Sequence, residues 1–319
     1  MVTCIKEREA MKCLAIVSAG LGNIVETTPM LVALESVVDK LDILLLSNWP
    51  DVDKLLPWDC INTLSNDNDY DVIVGAWWAK ECQIITSAKH FGKKTIVPRL
   101  NVLEWSEVEC NMDVARQLGF TGITPPPKLN EVGKSLVEGE YVVLSSGYQK
   151  STSHVIWKNK SWPHWKQLAT MFKDKGIRTV IVGTTEECED WHKDIIDYDL
   201  CGKTSTVELA ATLRGAQAVI GCDNGPAHVA DAYGVPVVAL FGPGSTIKNT
   251  YYQGRVIFMP NSVVPCRPCH HNLGQMANCK NNLCMKLITT KQVFDVYLKE
   301  IENRKSNKPD TTTVASVIV

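Results

Sequence analysis

Short, nearly unbroken apolar runs recur along the chain and alternate with segments whose apolar residues return every three or four positions. In the first half these runs are CLAIVS (13–18), LDILLLS (41–47) and YDVIVGA (70–76). Runs of this length, bounded by turn residues, predict parallel strands covered on both faces. ETTPMLVALESVV, between the first two, has helical spacing. The second half repeats the pattern with YVVLSS (141–146), TVIVG (179–183), AVIGCD (218–223) and VVALFG (237–242). PHWKQLATMFKDKG, TEECEDWHKDII, STVELAATLRGA and GPAHVADAYG read as the intervening helices, several closing on glycine.

The two strand–helix series flank residues 121–140, TGITPPPKLNEVGKSLVEGE, whose three consecutive prolines cannot continue a helix or a central strand. The expected division is an N-terminal Rossmann-like unit over 11–125, a C-terminal one over 139–290, a helix over 291–305 and a disordered tail over 306–319. Residues 1–10 read as a loose extension. Ligands of open parallel sheets sit beyond the carboxyl ends of the strands. Two facing sheets place that region in a cleft between the halves.

Composition narrows the function classes. The 319 residues are 45% hydrophobic, enough for a sizeable core. The formal net charge of −2 and the lack of a long basic block argue against nucleic acid as the main partner. No run of about 18 apolar residues predicts a membrane span. The opening MVTCIKEREAMK does not read as a secretion signal, so a cytoplasmic monomer is expected. Among the twelve cysteines, Cys13, Cys82, Cys201 and Cys222 read as reduced core thiols.

Four loops carry candidate chemistry. Ser18-Ala19-Gly20-Leu21-Gly22-Asn23 joins the first strand to a helix, and its glycines allow a tight turn close to an anionic ligand. Val25 occupies the third glycine position of a dinucleotide fingerprint, which counts against an NAD-dependent dehydrogenase. Gly221-Cys222-Asp223-Asn224-Gly225-Pro226-Ala227-His228 is the strongest local signal: a strand delivers it and a helix begins at Pro226. Asp223 either binds a sugar hydroxyl or caps that helix, and His228 either faces the site or packs in the core. Lys160, in Lys158-Asn159-Lys160-Ser161-Trp162-Pro163, either reaches a diphosphate as a point charge or sits in a solvated basic turn. Glu186 and Glu187, after Gly183, either hold ribose hydroxyls or favour a helix dipole. Cys266, Cys269, Cys279 and Cys284, beside His270 and His271, suggest either a structural zinc or packed thiols.

In order along residues 11–303, these segments resemble glycosyltransferase family 9, the lipopolysaccharide heptosyltransferases. The resemblance rests on IVSAGLGNIVETTPMLVAL, KSWPHWKQLATMFKDKGIRTVIVGTTEE, DLCGKTSTVELAATLRGAQAVIGCDNGPAHVADAYGVPVVALFGPGS and PCRPC…CMKLIT. It implies a GT-B fold, two Rossmann-like domains with parallel sheets facing a central cleft. It further implies an inverting transferase that needs no metal for chemistry and takes a nucleotide-sugar donor, ADP-heptose by default. The acceptor would be a glycan or glycolipid, reached from the cytoplasm with peripheral membrane association. By matched position, Lys160 would contact donor phosphates and Asp223, Asn224, Gly225, Pro226 and His228 would line the donor pocket. Gly183 and Glu186 or Glu187 would lie near the nucleotide, and Ser18, Gly20 and Gly22 on the acceptor side.

The chain departs from the family at Asn23, where heptosyltransferases carry an aspartate base. An amide cannot take a proton from a hydroxyl at neutral pH. Either Glu26, one turn further on, serves as the base, or Asn23 only orients the acceptor while another group deprotonates it; the bland alternative for Glu26 is a first-turn acid that merely satisfies the helix dipole. A sugar-nucleotide epimerase or hydrolase, or a non-catalytic sugar-nucleotide binder, are the rivals.

Overall fold

The computed structural model describes residues 10–47, 49–64, 69–79, 92–148, 158–187, 190–249, 251–252, 255–258, 260–269, 273–305 and 316–318. The N-terminal lobe holds a parallel sheet of β1 (Lys12–Ser18), β2 (Lys40–Leu46), β3 (Cys60–Ile61), β4 (Tyr70–Gly75) and β5 (Gly92–Ile96), in the order β3-β2-β1-β4-β5. The C-terminal lobe holds β6 (Val142–Ser145), β7 (Thr179–Ile181), β8 (Tyr198–Asp199), β9 (Ala218–Cys222), β10 (Val237–Phe241), β11 (Arg255–Phe258) and β12 (Ser316–Ile318). Their order is β12-β11-β10-β9-β6-β7-β8, again parallel. The strand order reverses at β1 in one sheet and between β6 and β9 in the other. These are the switch points where crevices open at the carboxyl ends of strands.

The helices are α1 (Leu21–Glu35), α2 (Glu107–Gln117), α3 (Trp165–Asp174), α4 (Thr206–Arg214), α5 (Gly225–Ala232), α6 (Leu273–Ala277), α7 (Leu283–Lys286) and α8 (Thr290–Lys305). Local chemistry sets their starts. The Ser205 hydroxyl accepts from the Glu208 amide while the Glu208 carboxylate accepts from the Ser205 amide, a reciprocal cap that begins α4. Ser106 caps α2 through the Glu109 amide. Pro29 lies inside α1 and has no N–H for the Val25 carbonyl. The Thr28 hydroxyl donates to that carbonyl instead, at 2.8 Å, so the helix continues.

Side-chain alternation along the strands divides the core. Cys13, Ala15 and Val17 face one way, with Val143 and Val219 from the second sheet in the same apolar cluster. Leu14 and Ile16 belong to a separate cluster on the other face of the first sheet. On the outer face of the second sheet, Val142, Leu144 and Ile220 pack under Trp162, Trp165, Phe172, Phe294 and Tyr297. The cluster between the sheets runs through Leu21 and Ile24 of α1 and Ala227 and Val229 of α5, so one core joins the two lobes.

Three expectations change. Among its described residues TEECEDWHKDII forms no α-helix: 185–187 and 193–195 are turns, Asp190–His192 is one 3-10 turn, and the strand at Tyr198 follows. Trp191, Ile195 and Ile196 are only partly buried, and the His192 ring faces Asp199 at 3.4 Å, so no continuous apolar stripe drives a helix. In the expected disordered tail, Ser316–Ile318 pairs with β11, whose ladder groups the added strand satisfies. Cys201 is disulfide-bonded rather than a reduced thiol. Cys82 lies outside the described residues, while Cys13 and Cys222 are free and buried. No helix among the described residues is long and apolar enough to cross a membrane.

Trp162 links this core to the lysine turn before α3. Its indole is 1% exposed and donates to the Ile288 carbonyl at 2.9 Å. Trp162→Phe leaves that buried carbonyl unpaired and is expected to cost about 1–3 kcal/mol in urea unfolding.

Candidate active site

Two turns meet at the seam between the lobes. The first leaves β1 through Ser18 and Ala19 and enters α1, with Gly20 at the N-cap. Ala19 has φ +89°, a left-handed conformation that an L-residue adopts at a cost. Gly20 itself has φ −78°, so the glycines are not the residues that turn the chain. They allow close approach instead. A Cβ at Gly22 would stand 3.0 Å from the His228 ring and 3.4 Å from the Gly225 Cα. A Cβ at Gly225 would stand 3.1 Å from the Leu21 Cβ and 3.2 Å from the Gly22 nitrogen.

The second turn leaves β9 at Asp223 and enters α5 at Gly225, one residue before the expected Pro226. Asn224, not Asp223, caps α5: its Oδ1 accepts from the Ala227 amide at 3.4 Å. Its Nδ2 donates to the Ser145 and Gly147 carbonyls at the end of β6. Asp223 is a hub. Its Oδ2 pairs with Lys160 at 2.7 Å and its Oδ1 accepts from Asn249 at 2.7 Å. Lys160 is therefore in the site, largely buried, and not in a solvated turn. His228 is buried and stacked on Tyr251, ring centroids 4.4 Å apart. Burial, with Lys160 and Lys248 nearby, pushes its pKa down to about 4 against the opposing pull of Asp223.

Glu26 is one turn along α1 from Asn23, 3% exposed, with Oε1 4.0 Å from His228 Nδ1. Burial raises its carboxyl pKa well above the ordinary range, and the Glu107 carboxylate raises it further. Glu187 folds over Gly147, its carboxylate 2.8 Å from where a Cβ would sit, and accepts from the Thr184 amide, whereas Glu186 is exposed. Gly183, φ +154°, closes the end of that strand through its carbonyl bond to the Gly202 amide.

The sequence reading missed two members. Glu107, the first residue of α2, is fully buried and accepts from Asn23 Nδ2 at 2.8 Å. Lys248, in the loop after β10, lies 3.3 Å from Glu107 Oε2 and 4.8 Å from the Trp78 ring centroid. An acid in the first turn of a capped helix is routine on the page of a sequence. Only burial distinguishes this one. Among the described residues, five buried side-chain polar atoms lack a hydrogen-bond partner, and four gather here: Glu26 Oε1, Glu107 Oε2, Asn249 Oδ1 and Tyr251 OH. Unmet polar capacity at one seam is what a site for a polyhydroxylated ligand presents.

Of the two readings of the four C-terminal cysteines, a structural zinc or packed thiols, the described residues support the second. Among the described residues no group of three or more His, Cys, Asp or Glu side chains could hold a metal ion. Cys266 is exposed, Cys269 and Cys284 are buried, and all four line a cavity of about 160 Å³. The buried guanidinium of Arg267 occupies the same cavity wall and donates to the Gly242 carbonyl at 2.6 Å, so a cation is already present. His270 and His271 lie outside the described residues.

Comparison with known proteins adds the following. Residues 107–280 match glycosyltransferase family 9 (heptosyltransferase). Lipopolysaccharide heptosyltransferase 1 of Pseudomonas aeruginosa is 30% identical over 119 residues, 35% of this chain and 33% of that protein. The matched stretch thus spans about a third of that relative's length. The glycosyl transferase family 9 structure from Veillonella parvula superposes with a TM-score of 0.67 at 16% identity, covering 92% of this chain and 97% of the other. E. coli heptosyltransferase WaaC with ADP gives 0.63 at 16% identity, covering 91% and 100%. These likenesses show the fold, a GT-B arrangement of two lobes with parallel sheets.

Two outcomes follow from the seam. Gly225→Ala drives a methyl into Leu21 and Gly22 and is expected to lower the melting temperature by several degrees. Glu26→Gln is expected to raise the melting temperature relative to the parent, increasingly so across the pH window between the ordinary carboxylate value and the raised one. A carboxyl whose folded pKa is raised holds its proton in the native state, so its contribution is lost as pH climbs through that window, and an amide is exempt. Melting curves across pH check both.

Proposed function

The chain belongs to glycosyltransferase family 9, and from that premise we propose that it moves a heptose or another hexose-like sugar from a nucleotide-diphosphate donor to a hydroxyl of a glycan or lipopolysaccharide-type acceptor, with inversion. ADP-heptose is the donor this reading favours, in keeping with the ADP named in the E. coli WaaC structure. The acceptor is then met at the cytoplasmic face of a membrane. The observation that carries the reading is the contact of the two glycine turns, with Lys160 and the first turn of α5 on one side and Asn23 and Glu26 on the other.

The donor diphosphate lies against Lys160 and the α5 amino end, where a fixed cation and oriented amides favour the charge that grows as the leaving group departs. Asp223 holds Lys160 in place from below. Glu187, over Gly147, stands on the nucleotide side, with Gly183 shaping the turn that carries it. The acceptor hydroxyl enters over Gly20, Gly22 and Asn23. Its oxygen attacks the anomeric carbon, the bond to the diphosphate oxygen breaks, and the hydroxyl proton passes to Glu26. A carboxylate buried beside another acid is a stronger base than an exposed one, and the fraction of the protein that carries it deprotonated grows as pH rises through the raised pKa. His228, neutral at that pH, borders Glu26 without competing for its proton. No step of this displacement calls for a metal.

Product analysis with labelled ADP-heptose, with and without lipopolysaccharide core acceptor, tests the reading. A new glycosidic bond and free ADP are expected. An epimerised donor, or free sugar formed equally in the presence of acceptor, would contradict it. A thermal-shift screen of ADP-, UDP-, GDP- and dTDP-sugars identifies the nucleotide. Lys160→Ala is expected to lower kcat/KM by about 10²–10³-fold. The acid limb of the parent's pH–rate profile should lie above the ordinary carboxylate range, since the deprotonated Glu26 is the active form.

A further inference from the structure

We infer that Glu107 and Lys248 form a positioning pair across the two lobes that fixes the amide of Asn23 and sets the electrostatic surroundings of Glu26. The inference rests on the transferase reading and assigns work to two residues outside the donor and acceptor turns.

The pair is anchored twice. The Glu107 backbone amide donates to the Lys248 carbonyl at 2.8 Å, and the Lys248 ammonium faces the Glu107 carboxylate at 3.3 Å. Both side chains are almost wholly enclosed, at 0% and 5% exposure. An ion pair removed from water gains little stability over an apolar replacement, because desolvation offsets the attraction. Its retention at this seam therefore calls for another account, and the contacts supply one. Glu107 spends one oxygen on Asn23 Nδ2, which turns Asn23 Oδ1 to the Gly20 side, 3.5 Å from where a Cβ on Gly20 would sit. The amide that replaces a catalytic acid thus becomes an oriented acceptor for an incoming hydroxyl. The other Glu107 oxygen has no hydrogen bond, and Lys248 faces it.

The charged neighbours of Glu26 come from every element packed on it. Glu107 approaches from α2, Lys248 from the loop after β10, Asp223 from the end of β9, and Asp231 and His228 from α5, with Tyr251 stacked on His228. Burial is the largest reason that Glu26 keeps its proton; Glu107 adds to it and Lys248 subtracts from it. The two halves of the pair thus act on Glu26 in opposite directions.

Infrared titration of the full chain reads this without any substrate. The carboxyl band of Glu26 is identified by its loss in Glu26→Gln. In Glu107→Gln its midpoint is expected to fall, and in Lys248→Met to rise. Lys248→Arg, which keeps the charge, should stay near the parent. Equal midpoints in all variants, or shifts of the same sign in Glu107→Gln and Lys248→Met, would overturn the inference. With ADP-heptose, Glu107→Gln should lower kcat at least tenfold with the donor KM unchanged, because donor contacts lie on the other turn; a rise in donor KM alone would count against it. Should even the parent consume no nucleotide-sugar, the transferase reading fails while the infrared titration still decides whether the pair acts on Glu26.

Discussion

Backbone-to-backbone contact between Gly22 and Gly225 is the constraint on which the rest of the molecule depends. A Cβ at either position would stand 3.0–3.2 Å from the opposite turn, tighter than ordinary contact, so the approach of the lobes relies on two missing Cβ atoms. That approach brings the amino ends of α1 and α5 together, with the Asn23, Glu26 and His228 side chains between them. It also explains why the turn strain is placed where it is. Ala19, not a glycine, takes the left-handed conformation, which leaves Gly20 and Gly22 to serve proximity alone.

Much of the architecture was readable from periodicity. Each apolar run assigned to a strand is one, because a strand covered on both faces writes itself as an unbroken hydrophobic word. The Asp223–His228 loop was also readable, since a strand end, an Asx residue and a Gly-Pro pair fix a helix start locally. Short edge strands such as β3 and β8 were not, because two residues carry no period. Nor was the absence of a helix after β7, where charged residues suit a helix but few apolar ones hold it against the sheet.

The site was legible on its glycine and lysine side and illegible on its acid side. Lys160 and Asp223 sit in motifs that single them out, although their ion pair was not among the expectations. Glu107 and Lys248 sit in none. Their partnership arises because α2 and the loop after β10 belong to different lobes and face each other only when the sheets are apposed. A residue whose role depends on its distance from the other half of the chain leaves no local trace. The cysteines teach the converse. Their spacing suggested ligation, yet a buried arginine shares their cavity, and spacing says nothing about which cation is already there.

The single apolar cluster that runs from β1 through α1 and α5 to β9 bears on how the two lobes can move against each other. A wide swing of one lobe away from the other would wet Leu21, Ile24, Ala227 and Val229 together, and that exposure grows with the swing angle. Sliding α1 along α5 keeps most of this surface dry, so the low-energy route is a shear rather than a hinge.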